Sequence, residues 1–221
     1  MKVMNNGVFI SFSYNSRELD GIEDLKKELE QSYYCHGFAK WIPSCSEGEE
    51  FWLTVFLATK FLDFIGEVGK DILKEGIVSA GKRFVLGPLK DALKKLRIKN
   101  RNKWPLRILR TSFVFEDMEV IIGGISDEEM GELPTLLQLI QSVSSLLLEP
   151  GCMPIKKIEM PAVFLPSTGE FEIDTWRFDP CNLRKCVWIV TYQDNERRLF
   201  DAKDKAFIDV SELEKRYSLL S

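Results

Sequence analysis

The chain has 221 residues, of which 45% are hydrophobic and 29% are charged, and its formal net charge is −4. This composition is ordinary for a folded globular protein, and a mean hydropathy of −0.11 excludes a polytopic membrane protein. The first residues, MKVMNNGVFISF, lack the basic and apolar regions of a signal peptide. We therefore expect a cytoplasmic location, with reduced thiols for the five scattered cysteines.

The N-terminal residues predict a strand, a helix and a second strand in succession. β-branched and aromatic residues from Val8 to Ser13 are typical of a buried strand. Leucine and isoleucine residues then recur at helical spacing, which predicts an amphipathic helix that Asn15 or Ser16 caps and that ends near Gln31. A second strand is predicted from Gly37 to Ile42.

The segment from Phe51 to Leu96 is the most unusual part of the chain, because it is very apolar yet carries charges. We predict that it is helical, with a narrow polar stripe, several glycines and a break at Gly87-Pro88. Its wide apolar surface fits a protein core, a contact between subunits or a membrane contact. The candidate residues for a membrane or oligomer contact are Phe51, Trp52, Val55, Phe56, Phe61, Leu62, Phe64, Ile65, Ile72, Ile77 and Phe84.

A basic strip follows this apolar segment. Between Lys90 and Arg110 there are nine basic residues and one acid, which leaves 21 basic and 33 acidic residues in the rest of the chain. Such a strip is either a solvated surface or a binding site for anionic lipid or nucleic acid. The candidate residues for this binding are Lys90, Lys94, Lys95, Arg97, Lys99, Arg101, Lys103 and Arg107.

The remainder of the chain is predicted to be rich in strands. Leu106 to Phe115 and Glu119 to Ile122 are typical of a hairpin around the turn EDM. Ser126 is predicted to cap a helix that ends before Pro150-Gly151. Further strands are predicted at Ile155 to Phe164, Glu170 to Asp174, Cys186 to Tyr192 and Arg197 to Phe200, followed by a final helix, SELEKRYSLL.

Together these elements predict an α+β fold. We expect an antiparallel or mixed sheet of split-βαβ type, with an inserted apolar helical hairpin and a β-rich C-terminal part. Residues 1–46 would begin the α/β domain, residues 47–98 would form the helical insert, and residues 99–221 would complete the domain.

Residue types that carry catalysis or bind metals are sparse. The one histidine, His36, lies next to Cys35, on or beside a predicted strand, and adjacent strand residues point to opposite faces. The cysteines form no CxxC pair, and neither GxxxxGK[ST] nor GxGxxG occurs. We therefore predict a non-enzymatic protein without catalytic residues, metal ions or cofactors.

The stretch VFISFSYNS, followed by GFAKWIPSCSEGEEF, resembles the opening of TIR domains. That resemblance implies an NAD-cleaving enzyme or a signalling adaptor. It extends only from Val8 to Phe51, because the apolar segment then takes the place of the family's catalytic helix.

The succession of VFISFSYNSRELDGIEDLKKELEQ and FWLTVFLATKFLDFIGEVGKDILKEG is similar in architecture to small components of bacterial anti-phage conflict systems. That resemblance implies an antiviral defence effector that oligomerises and permeabilises the inner membrane as a pore or ion channel, sometimes under control of a nucleotide signal. Our leading hypothesis is a non-enzymatic oligomeric effector or interaction subunit, cytoplasmic or at the inner membrane, with a partner protein from a defence operon. The alternatives are a TIR-like NAD hydrolase and a soluble nucleic-acid or oligonucleotide sensor that uses the basic strip.

Overall fold

The computed structural model describes residues 8–15, 20–40, 50–64, 66, 86–100, 107–126, 154–165, 167–175, 186–209 and 211. Within these ranges it contains eleven strands and two helices longer than one turn. In chain order they are β1 (Val8–Asn15), α1 (Ile22–Leu29), β2 (Tyr34–Lys40), β3 (Glu50–Leu57), α2 (Leu86–Lys99), β4 (Arg107–Val114), β5 (Glu119–Ser126), β6 (Ile155–Met160), β7 (Ala162–Leu165), β8 (Glu170–Ile173), β9 (Val187–Tyr192), β10 (Arg197–Asp201) and β11 (Ala206–Ile208).

Nine of these strands form one mixed sheet, in the order β11-β10-β9-β6-β5-β4-β3-β1-β2. The neighbours β1 and β2, β3 and β4, and β5 and β6 are parallel. The other neighbouring pairs are antiparallel. A parallel pair needs a long crossover, and α1 and α2 lie in the crossovers of the first two pairs. The α+β prediction with a mixed sheet is confirmed.

The two helices and one face of the sheet, which we call the inner face, enclose the main core. α1 buries Ile22, Leu25 and Leu29, as its amphipathic pattern predicts. α2 packs against α1. Each large apolar side chain buried in this way contributes about 1.5–3 kcal/mol. The core residues of α2, β1 and β3 are Leu89, Ala92, Leu93, Leu96, Val8, Ile10, Phe12, Phe51, Leu53, Val55 and Leu57.

The opposite, outer face of the sheet is covered at one end by the β7–β8 hairpin. A smaller core forms there from Ala162, Phe171, Ile189 and Leu199. The hairpin is closed by a hydrogen bond of 2.8 Å that the Asp174 backbone N–H donates to the Pro161 carbonyl oxygen. This hairpin therefore divides the outer face into a covered end, around β9 and β10, and the end formed by β3, β1 and β2.

The predicted helix over the start of the apolar segment is wrong for residues 50–57. These residues form β3, which lies between β1 and β4 in the sheet. β3 carries apolar residues such as Phe51 and Val55 on its inner face and aromatic residues on the opposite face, so its sequence is a continuous apolar run that periodicity does not separate from a helix. A helical turn follows at residues 61–64. Residues 67–85 lie outside the described part of the chain, so the inserted helical hairpin is not confirmed.

Other predicted elements differ in detail. β1, the β4–β5 hairpin and the later strands are confirmed, except that Ile155 to Phe164 is two strands instead of one. Gly21, with φ of 88°, precedes α1 in place of a side-chain cap. The split-βαβ arrangement is not confirmed, because β1 and β2 are direct neighbours. The helix predicted after Ser126 and most of the final helix lie outside the described residues.

Candidate interaction surface

The outer face of β2, β1 and β3 carries a cluster of aromatic side chains that we call the aromatic face. Alternation along the strands places its residues there. The register aligns Tyr34, Phe9 and Phe56 across the three strands in one row, and Phe38, Ser13 and Trp52 in another. The row between them consists of His36, Ser11 and Thr54. Two aromatic rows thus flank a row of small polar side chains.

Several of these rings are exposed although they are apolar. Tyr34 is 54% exposed and Phe38 48%, and Phe9 and Phe56 are each 38% exposed. The Phe9 and Phe56 rings contact each other, with 5.4 Å between their centroids, and His36 lies 6.1 Å from Phe38. Contiguous exposed apolar groups of this kind mark surfaces that bind other molecules.

The aromatic face lacks fixed charge. None of its nine positions is Asp, Glu, Lys or Arg. Beside this face, Arg110 on β4 lies in register with Trp52 and forms an ion pair with Glu119 on β5 at 3.7 Å. A surface with aromatic groups and few charges has the composition of the core of a protein–protein interface.

Strand β2 forms the edge of the sheet beside this face. Its sequence, YCHGFAK, contains no proline and no acid, and its one charged residue is Lys40 at the end. In the described part of the chain, β2 pairs only with β1, so backbone groups along its other side have no strand partner. Such an edge is a template for pairing with another chain.

The apolar residues predicted as a contact surface divide into three groups. Phe51 and Val55 are fully buried in the core, and Phe61 and Phe64 pack against Phe115. Trp52 and Phe56 lie on the aromatic face, and Leu62 is exposed in the helical turn after β3. The remaining predicted residues, Ile65, Ile72, Ile77 and Phe84, lie outside the described part of the chain.

The basic strip is partly neutralised by α1. Lys95 of α2 pairs with Glu28, and Lys99 pairs with Asp24, whose pKa the lysine lowers through a hydrogen bond and its charge. Lys94 is exposed on α2. Lys95 and Lys99 therefore form ion pairs between α2 and α1. Of the others, Lys90 and Arg97 lie on α2 and Arg107 on β4, with undescribed side chains, and Arg101 and Lys103 are outside the described residues.

Cys35 and His36 do not form a nucleophilic pair. They are adjacent on β2, where Cys35 packs against the core and His36 is exposed on the outer face. Burial raises the pKa of the Cys35 thiol to about 11. An activated cysteine needs the opposite shift, because the thiolate is the nucleophile.

Two other features, a metal site and a membrane-spanning helix, are absent from the part of the chain that the structure describes. No group of three His, Cys, Asp or Glu side chains is arranged there to hold a metal ion. None of the helices described combines the length and apolar character needed to cross a bilayer. Comparisons with protein families, with curated proteins and with solved structures found no match.

Most of the aromatic face is not predicted from the sequence. Trp52 and Phe56 are predicted as contact residues of an apolar helix, and Phe9, Tyr34 and Phe38 are not predicted as contact residues. The available signal was the alternation of aromatic residues in YCHGF, which places Tyr34, His36 and Phe38 on one side of a strand. The predicted strand began at Gly37 and therefore excluded two of these three residues.

Proposed function

We propose that the protein is a non-enzymatic interaction subunit that assembles with further copies of itself through the aromatic face and its edge strand β2. The observation that carries this proposal is the exposure of Tyr34 and Phe38 on β2, an edge strand. Among the described residues, no other strand pairs with the free edge of β2. Covering apolar rings and pairing edge backbone groups both favour association.

The charge distribution supports a protein partner over a nucleic acid. Nucleic-acid binding depends on cations that neutralise phosphates, and the aromatic face has none. Of the lysines described on α2, Lys95 and Lys99 are paired with acids of α1, whereas Lys94 is exposed. Aromatic stacking within the nine positions of the aromatic face would leave the phosphates without a compensating cation there.

Membrane engagement through residues 51–57 is disfavoured by their position in the sheet. Inserting Phe51 or Val55 into lipid would require β3 to leave both β1 and β4. The proposal therefore assigns the contact to the outer side chains of β3, Trp52 and Phe56. A role in a bacterial defence system stays a prediction from the sequence.

Sedimentation velocity over a concentration series tests this proposal. The test variant combines Tyr34→Lys and Phe38→Lys, and the control variant combines Leu62→Lys and Ile98→Lys, which are 49% and 60% exposed and lie outside the nine positions of the aromatic face. We expect the wild type and the control to associate alike, and the test variant to associate about tenfold more weakly or less, because it places like charges in the contact. A wild type that stays monomeric throughout, or a test variant that matches the control, would overturn the proposal.

A further inference from the structure

We propose that β2 pairs antiparallel with β2 of a second copy about a twofold axis through Gly37, which joins two nine-stranded sheets into one continuous sheet. This geometry depends on the self-association proposed above and gives it one specific form. It is carried by three properties of β2: its unprotected edge, its length and its self-complementary register.

The first property is that, among the residues the structure describes, β2 lacks the features that usually prevent an edge strand from pairing. Natural edge strands carry prolines, inward-pointing charges or bulges, or are very short. β2 has seven residues without proline, and its register with β1 runs without a shift from Tyr34 to Lys40. Its backbone is therefore regular enough to accept another strand along its whole length.

The second property selects the partner strand. The other edge of the sheet is β11, which has only three residues. Pairing β2 with β11 of another copy would leave most of β2 uncovered, and it would be a head-to-tail contact that builds a ring or an open filament instead of a twofold dimer. Pairing β2 with β2 matches seven residues with seven and closes as a dimer.

The third property is the register that a twofold axis imposes. An axis through Gly37, the middle residue of β2, pairs all seven residues, and any shift leaves residues at both ends unpaired. In this register His36 lies opposite Phe38 of the partner subunit on the outer face. Aromatic cross-strand pairs of this kind stabilise antiparallel strands. The two aromatic faces become one surface on the same side of the joined sheet.

The same register places Cys35 opposite Ala39 of the partner subunit, and this pair provides the test. Directly opposed residues of antiparallel strands have Cα atoms about 4.5–5.5 Å apart, within the range of a disulfide. Within one chain the two positions are separated by four strand residues, about 13 Å, which no disulfide spans. A disulfide between positions 35 and 39 of Ala39→Cys therefore reports a contact between two chains.

The experiment oxidises full-length Ala39→Cys with diamide, which takes up the two electrons and two protons released by the thiols. A mixture of ¹⁴N- and ¹⁵N-labelled protein is used, and the linked peptides are identified by mass spectrometry. Controls are Ala39→Cys with Cys35→Ser, which removes the partner thiol, and Ile98→Cys, which places a cysteine on exposed α2. We expect isotopically mixed peptides linked through positions 35 and 39, at least about tenfold more abundant than peptides that join position 35 to a cysteine at position 98.

Two negative results are distinguishable. If sedimentation shows a dimer and the mixed 35–39 linkage is absent, antiparallel pairing of β2 is overturned and association through the aromatic face stands. If the protein stays monomeric at every concentration, both the antiparallel pairing of β2 and the proposed self-association are overturned. A 35–39 linkage that persists when Tyr34→Lys and Phe38→Lys abolish the dimer would also overturn the geometry, because it would then reflect random collision.

Discussion

The ring of Phe12 lies directly against Gly37, the residue beside it on the neighbouring strand. A Cβ atom at Gly37 would be 2.3 Å from Cζ of that ring, far inside van der Waals contact. The absence of a side chain on β2 thus lets Phe12 stack on Phe51, with 5.4 Å between centroids and 16° between ring planes. Gly37 is fixed by the packing of the inner face, while its neighbours His36 and Phe38 point outwards.

Gly37→Ala is therefore expected to destabilise the protein. The added methyl group must displace Phe12 and disturb its stack on Phe51, which should cost about 1–3 kcal/mol of unfolding free energy. Urea denaturation followed by tryptophan fluorescence measures this change. Gly66→Ala is the control, because a Cβ there meets no described atom within 4 Å and Gly66 is helical, so this substitution should not lower the stability. Equal effects of the two substitutions would contradict this packing.

Gly123→Ala should loosen the β7–β8 hairpin from the sheet. A Cβ at Gly123 would lie 2.3 Å from the backbone carbonyl oxygen of Asp174, so the backbone itself has to move. We expect faster hydrogen exchange at the Asp174 N–H, whose bond to Pro161 closes the hairpin. Gly169→Ala is the control: it has open space but a φ of 69°, so it costs about 1–2 kcal/mol through the turn. Gly169→Ala should leave hydrogen exchange at the Asp174 N–H nearly unchanged. A larger increase in that exchange for Gly169→Ala than for Gly123→Ala would contradict this prediction.

Local sequence patterns were sufficient for elements whose signals are local. Val8–Asn15 combines β-branched and aromatic residues, and the β4–β5 hairpin has a short polar turn between two apolar runs. For β3 the decisive information is not local, because its neighbour β4 begins fifty residues later in the chain, at Arg107. The run FWLTVFL carries apolar residues on both faces, and its composition therefore fits a helix equally well.

The aromatic face could not be predicted from the sequence for a related reason. Tyr34 and Phe38 are exposed because β2 lies at the edge of the sheet, and strand order is a property of the whole fold. The basic strip shows the converse case. Lys95 and Lys99 form part of a conspicuous charge cluster in the sequence, yet the fold brings them to Glu28 and Asp24. The run of basic residues in the sequence therefore contributes to the contact between α1 and α2 as well as to the protein surface.

Asn100 should be a strong determinant of how α2 is held against the start of α1. It is buried, its Nδ2 donates to the carbonyl oxygens of Asp20 (2.9 Å) and Leu96 (2.8 Å), and its Oδ1 accepts the Asp20 N–H at 3.0 Å. Asn100→Ala removes these three bonds, which should cost about 2–3 kcal/mol. Chemical denaturation measures the loss. Ile98→Ala, on the exposed side of the same helix, should cost less than about 0.5 kcal/mol.

The Asp24–Lys99 pair should be visible as a shift in titration. Lys99 lowers the pKa of Asp24 below its ordinary value of 3.8. A carboxyl with a lowered pKa in the folded state contributes stability above its unfolded pKa, and that contribution is lost as the pH falls through the folded value. NMR titration of the wild type and Lys99→Met measures the pKa directly. We expect the substitution to raise the Asp24 pKa towards 3.8, and an unchanged titration would show that the pair does not form in solution.

The two cysteines described by the structure should react slowly while the protein is folded. Burial raises the pKa of Cys35 to about 11 and that of Cys186 to about 12, where the N–H of Trp188 partly opposes the effect of burial. Since the thiolate is the reactive form, alkylation by iodoacetamide near neutral pH should be about two orders of magnitude slower than in the unfolded chain. Mass spectrometry of the labelled peptides gives each rate, with the protein in urea as the reference.

The pH dependence of labelling separates a raised pKa from simple steric shielding. With a raised pKa, the rate at Cys35 should keep increasing about tenfold per pH unit beyond the ordinary thiol value of 9.0, up to about 11. Shielding alone would slow the reaction but let it level off near 9.0. The same shift predicts that stability falls as the pH rises above 9.0, because the unfolded chain then releases protons that the folded thiols retain. A rate that levels off near 9.0 in the folded protein would contradict the assignment of burial as the cause.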